Sequence, residues 1–351
     1  MLKNTLKSLL LATMLTGVAG MAAAQSITLR ATATSNDQDE DYDGLVVFKN
    51  FVENASNGDI KVELFIGTQL CAKGEECLAG VADGSIDIFI STSGGAAGIF
   101  PYIQVLDLPY LMSDDRVAEE VLSGDFVRFL RAKALADSGD KIRLMAVGNT
   151  GGWRNYANTK KRVTKPEDLA GLKLRTVPAD LPQVLAKGLG ASPTPIAWPE
   201  LFTSLQTGVV EGTANGITDV MNMKFPDAGL KYITLDGHSY MGAFWWMSND
   251  RFTGMTDAQK RVVLDGFAAL QQATFASPKR KEIAAYEGFK AAGGDIYVPS
   301  PEEKAAFKTA AAPVFDWFRA NVKDGAETLD AFNAAVEAAT KVVEAQRAAD
   351  M

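Results

Sequence analysis

Residues 166–178 read PEDLAGLKLRTVP, and residues 190–215 read GASPTPIAWPELFTSLQTGVVEGTAN. Thr164 and Glu167 stand at capping-box spacing, which predicts a short helical turn. Gly171 ends it, as a glycine just past a helix terminus does. Leu172 to Val177 alternates apolar and basic side chains, the period of a strand, and Pro178 stops it. Arg175 therefore falls near the C-terminal end of a strand, the end that faces the ligand crevice in open α/β sheets. Pro193 and Pro195 hold the next segment extended, and Pro199 suits the first turn of a helix. Leu201, Phe202 and Leu205 give that helix one apolar face, and Gly208 closes it. Val209 to Glu211 reads as a short strand, with Asn215 after it.

The flanking chain follows the same α/β logic. Ile27 to Thr34 alternates as an opening strand, Ser35 to Asp43 is a polar loop, and Leu45 to Ala55 has helical spacing. Gly58 ends that helix and Ile60 to Ile66 is the next strand. A β-α-β opening implies a parallel sheet. Glu75 to Asp83 reads as a helix. Ser85 to Ile90 reads as a strand that ends in Ser91-Thr92-Ser93-Gly94-Gly95, either a turn lining a cleft or a plain connector. The run lacks the Lys-Ser/Thr of a phosphate loop, and its glycines miss the G-x-G-x-x-G spacing. Val117 to Leu135 is helical and Ile142 to Val147 a strand, with a crossing into a second domain expected near Gly151. His238 to Met247 leads back as a strand. Thr256 and Gln259 open a helix toward Phe289, with Pro278 expected to kink it. Ser300, Pro301 and Glu303 start another, and Ala-rich helices finish the chain.

A chain that crosses more than once between two α/β lobes makes a clamshell with its ligand between the lobes. The expected division is 25–150 plus about 239–278 for lobe I, and 151–238 plus about 279–351 for lobe II. The length of 351 residues suits two domains. Lys and Arg number 35 against 43 Asp and Glu, for a net charge of −8, which argues against nucleic acid as partner. Lys3 and Lys7, the apolar run Leu9 to Met21, and Ala22-Ala23-Ala24 read as a secretory leader cleaved near Ala24. A membrane anchor is the rival, but the run is short and broken by Thr and Gly. The mature chain is expected in the periplasm, not inserted in a membrane. Cys71 and Cys77 are the only cysteines, and in an oxidising compartment a disulfide between them is the natural expectation. Two thiols and one histidine make a thin ligand set, so neither metal nor cofactor is expected.

In this order and spacing, GLKLR, GASPTP, LQTGVVEG and the following Asn215 resemble the solute-binding subunit of TRAP transporters, the DctP type. The resemblance thins outside this stretch but runs from about Ile27 to the C-terminal helices. It implies a type II-like clamshell whose long helix spans both lobes. It implies that Arg175 holds a ligand carboxylate, for which a planar guanidinium is suited. Asn215 matches a ligand-facing asparagine, although Gly216 stands where proline is common. Arg154, in Gly151-Gly152-Trp153-Arg154, matches a second ligand-contacting arginine; an interdomain salt bridge is its structural alternative. Trp198 replaces an aromatic that covers the ligand, with core packing as the alternative. Thr92 and Ser93 fall where relatives place contacts from the first lobe. Sialic-acid binders carry a glutamate and an arginine around there, where this chain has Thr92 and Gly95, which argues against that ligand.

Other candidates come from position alone. Gln38 and Gln69 lie on loops after strands. Trp245 and Trp246 are adjacent on a strand and point to opposite faces, so one belongs in the core; Trp245 is the candidate for the cleft. His238 is the only histidine and is either structural or a ligand contact. Gly237-His238-Ser239-Tyr240-Met241 misses the last glycine of G-x-S-x-G, and no second histidine exists to serve a Ser-His-Asp triad. The expectation is therefore a binding protein and not an enzyme. It captures a small organic acid and delivers it to TRAP membrane subunits driven by an ion gradient. An ABC importer or a sensor is the alternative destination, and a secreted α/β enzyme the distant one.

Overall fold

The computed structural model describes residues 26–350, so the N-terminal leader lies outside the described residues. Nine strands form one sheet: β1 (Ile27–Ala33), β2 (Ile60–Ile66), β3 (Ile88–Thr92), β4 (Ile142–Asn158), β5 (Lys173–Thr176), β6 (Ser192–Pro195), β7 (Gly212–Asn215), β8 (Tyr232–Ser248) and β9 (Asp295–Tyr297). Their order is β2-β1-β3-β8-β4-β7-β5-β6, with β9 on β8. β1 is parallel to β2 and β3, as the β-α-β opening requires. β8 runs antiparallel to β3 and to β4.

β4 and β8 are 17 residues each and join the two halves of the sheet. β3 pairs with the C-terminal part of β8, whereas β7 pairs with the C-terminal part of β4. The register between β4 and β8 slips between Asn149 and Trp153. Gly151 and Gly152 occupy this slip with φ of 72° and 81°, a conformation that side chains with a Cβ resist. Both strands run further than their apolar segments suggest. Past the slip they bury Arg154, Asn155 and Asn158, polar residues that carry no strand signal.

Other boundaries moved for local reasons. The first helix begins at Glu40, because Asp39 caps it by accepting from the Asp41 amide. The expected helix 117–135 is two helices, Asp115–Ser123 and Asp125–Asp137, divided at Gly124. The turn at Pro166–Leu169 is a 3-10 turn, so Asp168 and not Glu167 reaches back; its carboxylate accepts from the Thr164 amide and hydroxyl and from the Lys165 amide. Val209 to Glu211 is connector, and the strand is Gly212–Asn215.

The helix Asp257–Ala291 runs unbroken through Pro278 and opens with the expected Thr256–Gln259 capping box. Its first half packs on the helix Glu40–Ala55, with the Phe48 and Phe267 rings 4.5 Å apart and Gly266 admitting the Phe48 and Val52 side chains. Its far end places Ala285 and Phe289 among Leu201, Leu205 and Phe225 of the other half. The long helix thus spans both halves. The last helix, Gly325–Asp350, differs from its expected grouping with residues 279–351. Phe332 packs on Phe126 at 5.0 Å, and Arg347 reaches Asp114 at 3.0 Å, so it lies against the first half.

Cys71 and Cys77 form a disulfide. Closing so short a loop contributes about 2 kcal/mol by chain-entropy arithmetic. The Cys71→Ser, Cys77→Ser double variant is expected to lose that amount in urea unfolding; no change would mean the loop is equally restrained without the bond. Gly151 supplies a second check. A Cβ there would lie 2.5 Å from an Asp219 carboxylate oxygen, on a backbone already at positive φ. Gly151→Ala should cost about 2 kcal/mol or more, and a loss within measurement error would contradict this packing.

Candidate functional site

A cavity of about 420 Å³ opens between the halves, where β1, β3, β5 and β7 end. The first half contributes Ser35, Asp39, Asp41, Glu75 and Thr92; the second contributes Arg154, Arg175, Trp198, Asn215 and Asp219. Met241 of β8 and Thr150 of β4 line it near the crossing.

Arg175 sits on β5 with 4% of its surface exposed. Its Nε donates to the Ile196 carbonyl at 2.9 Å, and the guanidinium lies 5.6 Å from the centre of the Trp198 ring. Among the described residues it has no ion-pair partner, and its terminal nitrogens make no hydrogen bond. Burial and the neighbouring Arg154 cation push its pKa down to about 9, against the opposing pull of Asp219. It remains charged at neutral pH, as a largely buried cation without a carboxylate partner among the described residues.

Arg154 is held more firmly. Its Nε donates to Asp107 at 3.3 Å and one terminal nitrogen donates to the Ala214 carbonyl at 2.9 Å. The Ser93 hydroxyl donates to the other oxygen of the same Asp107 carboxylate. Asn215 is largely committed as well: its amide nitrogen donates to Asp219 at 2.9 Å and its oxygen accepts from Thr213 at 2.7 Å. One amide hydrogen and one lone pair remain.

The opposite wall is acidic. Asp39, Glu40 and Asp41, around the start of the first helix, meet Asp219 of the helix Ile217–Asn222. Burial raises all four pKa values, and mutual repulsion raises those of the first three further. Glu40 and Asp41 each reach about 7.

Arg175, Arg154, Asn215, Trp198 and Thr92 thus converge on one cavity. Thr92 also caps the turn Ser93–Ala96, accepting from the Gly95 amide. Five other expected residues do not converge there. Ser93 turns inward to Asp107. Trp245 is fully buried between the sheet and the helix Glu40–Ala55, beside Gly44; a strand's alternation gives Met241, four residues earlier, the cleft-facing place. Gln38 is exposed and bonds to Asp37, and Gln69 is exposed on its turn. His238 is buried behind the arginines, 2.8 Å from Asp236 and stacked on Tyr156 at 4.4 Å. Sequence reasoning missed Asp39, Asp41, Asp107, Thr150 and Asp219. An N-cap signal at Asp39 was legible; the others become neighbours only through the fold.

Among the described residues no helix is long and apolar enough to cross a membrane. Residues 31–321 match the family described as bacterial extracellular solute-binding protein, family 7. A solute-binding protein of Verminephrobacter eiseniae is 31% identical over 84% of this chain and 85% of its own. The 2,3-diketo-L-gulonate-binding periplasmic protein YiaO of Escherichia coli is 28% identical over 90% of this chain and 95% of its own. The sugar acid binding protein DctPAm of Advenella mimigardefordensis, solved in complex with galactonate, superposes with a TM-score of 0.83 at 26% identity, over 89% of this chain and 98% of that one. The two-half α/β architecture, the arginine-bearing cleft and this match agree: the chain belongs to the bacterial extracellular solute-binding proteins of family 7, the DctP-type solute-binding proteins of TRAP transport systems.

Proposed function

We propose that the protein captures a small hydroxylated organic acid, of the sugar-acid or hydroxy-acid class, and that Arg175 anchors its carboxylate. The observation that carries this reading is a buried guanidinium whose terminal nitrogens lack partners, facing a wall of carboxylates and hydroxyls. A carboxylate at Arg175 supplies the missing counterion and accepts two parallel N–H bonds. Arg154, fixed by Asp107, donates to a second oxygen. On the far side Asp39, Asp41, Ser35 and Thr92 accept or exchange hydrogen bonds with ligand hydroxyls. A second carboxylate would meet that acidic wall and be repelled, which disfavours dicarboxylates. The names of two relatives, a diketo-gulonate binder and a galactonate complex, agree with a polyhydroxy acid.

In this reading the lobes are 25–150 with about 239–278, and 151–238 with about 279–324, the last helix moving with the first lobe on which it packs. Closure about Gly151 and Gly152 removes water from the ion pair and makes mismatches costly. The protein works in the periplasm after its leader is removed near Ala24, carries no catalytic activity, and hands its ligand to TRAP membrane subunits.

A thermal-shift screen of aldonates, uronates, hydroxy acids and C4-dicarboxylates tests this, since a ligand that binds the folded state alone raises Tm. Hydroxylated monocarboxylates should give the largest rise. Arg175→Ala should abolish it and Arg175→Lys should weaken it strongly; a wild-type response from Arg175→Ala would remove the anchor. For Asp107→Asn, which loosens Arg154, we expect a roughly tenfold weaker Kd by calorimetry. An unchanged Kd would mean that Arg154 does not touch the ligand.

A further inference from the structure

The buried acids beside the cleft have no adequate counter-charge. Asp39, Glu40 and Asp219 each offer an oxygen, and these oxygens lie within 4.8 Å of one another. They come from different halves: Asp39 and Glu40 from the start of the first helix, Asp219 from the helix Ile217–Asn222. Glu40 is fully buried, and neither of its oxygens has a hydrogen-bond partner. The Thr218 hydroxyl is buried beside Glu40, near enough to favour its charged form, but neither group completes a hydrogen bond of ordinary geometry. Lys281, the nearest lysine acting on Glu40, is 2.8 Å from Asp43 and also donates to the Gln38 carbonyl. Arg154 and Arg175 act on Asp219 from the cleft side, and Arg154 is already paired with Asp107.

Such groups are normally hydrogen-bonded, paired or bound to metal. Asp39 accepts from the Asp41 amide and Asp219 from Asn215, but these neutral donors leave the summed negative charge of the three carboxylates in place. Oxygen ligands alone, three of them anionic, suit a hard cation, and the negative charge favours a divalent one. Their mutual spacing fits the 2.3–2.6 Å coordination distances of calcium.

The geometry points to a binding site for a divalent cation of the calcium class, formed by Asp39, Glu40 and Asp219 with the Thr218 hydroxyl, which ties the first helix to the Asp219 helix across the two halves. The cation neutralises charges contributed by both lobes, so it favours the arrangement in which they meet. Waters complete the coordination shell. The site lies in the wall of the cleft and does not require the organic acid.

The test uses the full chain, stripped with EDTA, in equilibrium dialysis against CaCl2 at fixed ionic strength without any organic acid. One Ca2+ per chain is expected, with a rise in Tm of about 2 to 4 °C at a hundredfold excess over Kd. Glu40→Gln should weaken Ca2+ binding at least tenfold while melting, in EDTA, no lower than the unmutated protein, because it removes an uncompensated carboxylate. Thr218→Val should weaken Ca2+ binding several-fold and serves if the first variant misfolds. Arg175→Ala should bind Ca2+ at least as tightly as the unmutated protein, because it removes a cation that acts on Asp219, and weaker binding would count against the site. No uptake of Ca2+, unchanged uptake by Glu40→Gln, or an equal response to NaCl at the same concentration would overturn the assignment.

Discussion

The cleft depends on a guanidinium that the fold desolvates without neutralising. Arg175 is packed between the Ile196 carbonyl and the Trp198 ring, with a second arginine nearby. Burying an unpaired charge costs several kcal/mol, even after relaxation. In the function proposed above, that cost is recovered when a carboxylate pairs with Arg175. The same logic explains why Asp219 does not simply quench it. Asn215 lies between them in sequence and bonds to Asp219, giving that carboxylate a neutral partner. Arg154 has its own partner in Asp107. The cleft therefore keeps one cation paired and one cation available.

The mechanical frame follows from two long strands and one long helix. β4 and β8 cross from half to half side by side, and their register fails at Gly151 and Gly152. A failed ladder gives fewer hydrogen bonds to break on bending, and glycine accepts the altered dihedrals. The helix Asp257–Ala291 crosses at another point and packs on both halves. Pro278 lies in its second half, and its missing N–H leaves the Thr274 carbonyl without the usual helical donor. The joint is thus built from weakened secondary structure within continuous elements, and the halves keep one sheet.

Much of this was legible before any coordinates. Period-two runs at β1, β2 and β5, and the capping boxes at Thr256 and Ser300, are local signals, and local signals survive in sequence. Arg175 was placed at a strand end by Pro178 and by the motifs around it. What failed was non-local. Trp245 and Trp246 are chemically equal on a strand, and the packing of the helices on each face buries both. His238 has Asp236 and Tyr156 as neighbours, and the strand crossing that brings Tyr156 has no signature. Gln38 looked like a loop side chain reaching a ligand, but the helix starts at Glu40 and leaves it outside. Counting thiols and histidine missed the acids, because Asp39 and Asp219 are 180 residues apart and meet only across the cleft.

The two charged features of the cleft are best understood together. Positive charge comes from β4 and β5, on strands, where rigid backbones fix a guanidinium's direction. Negative charge gathers at the start of one helix and on a second, and the start of the first carries the positive end of its helix dipole, which favours carboxylates. Local electrostatics thus makes the acids tolerable one by one, and closing the halves makes them costly as a group. Binding an anion at Arg175 alone would leave that cost in place. In the reading proposed above, a closed state is favoured when both deficits are met, the cation's by the ligand and the carboxylates' by a counter-charge. The fold sets the two charges against one cavity, the arginines on the strands and the acids at the helix starts.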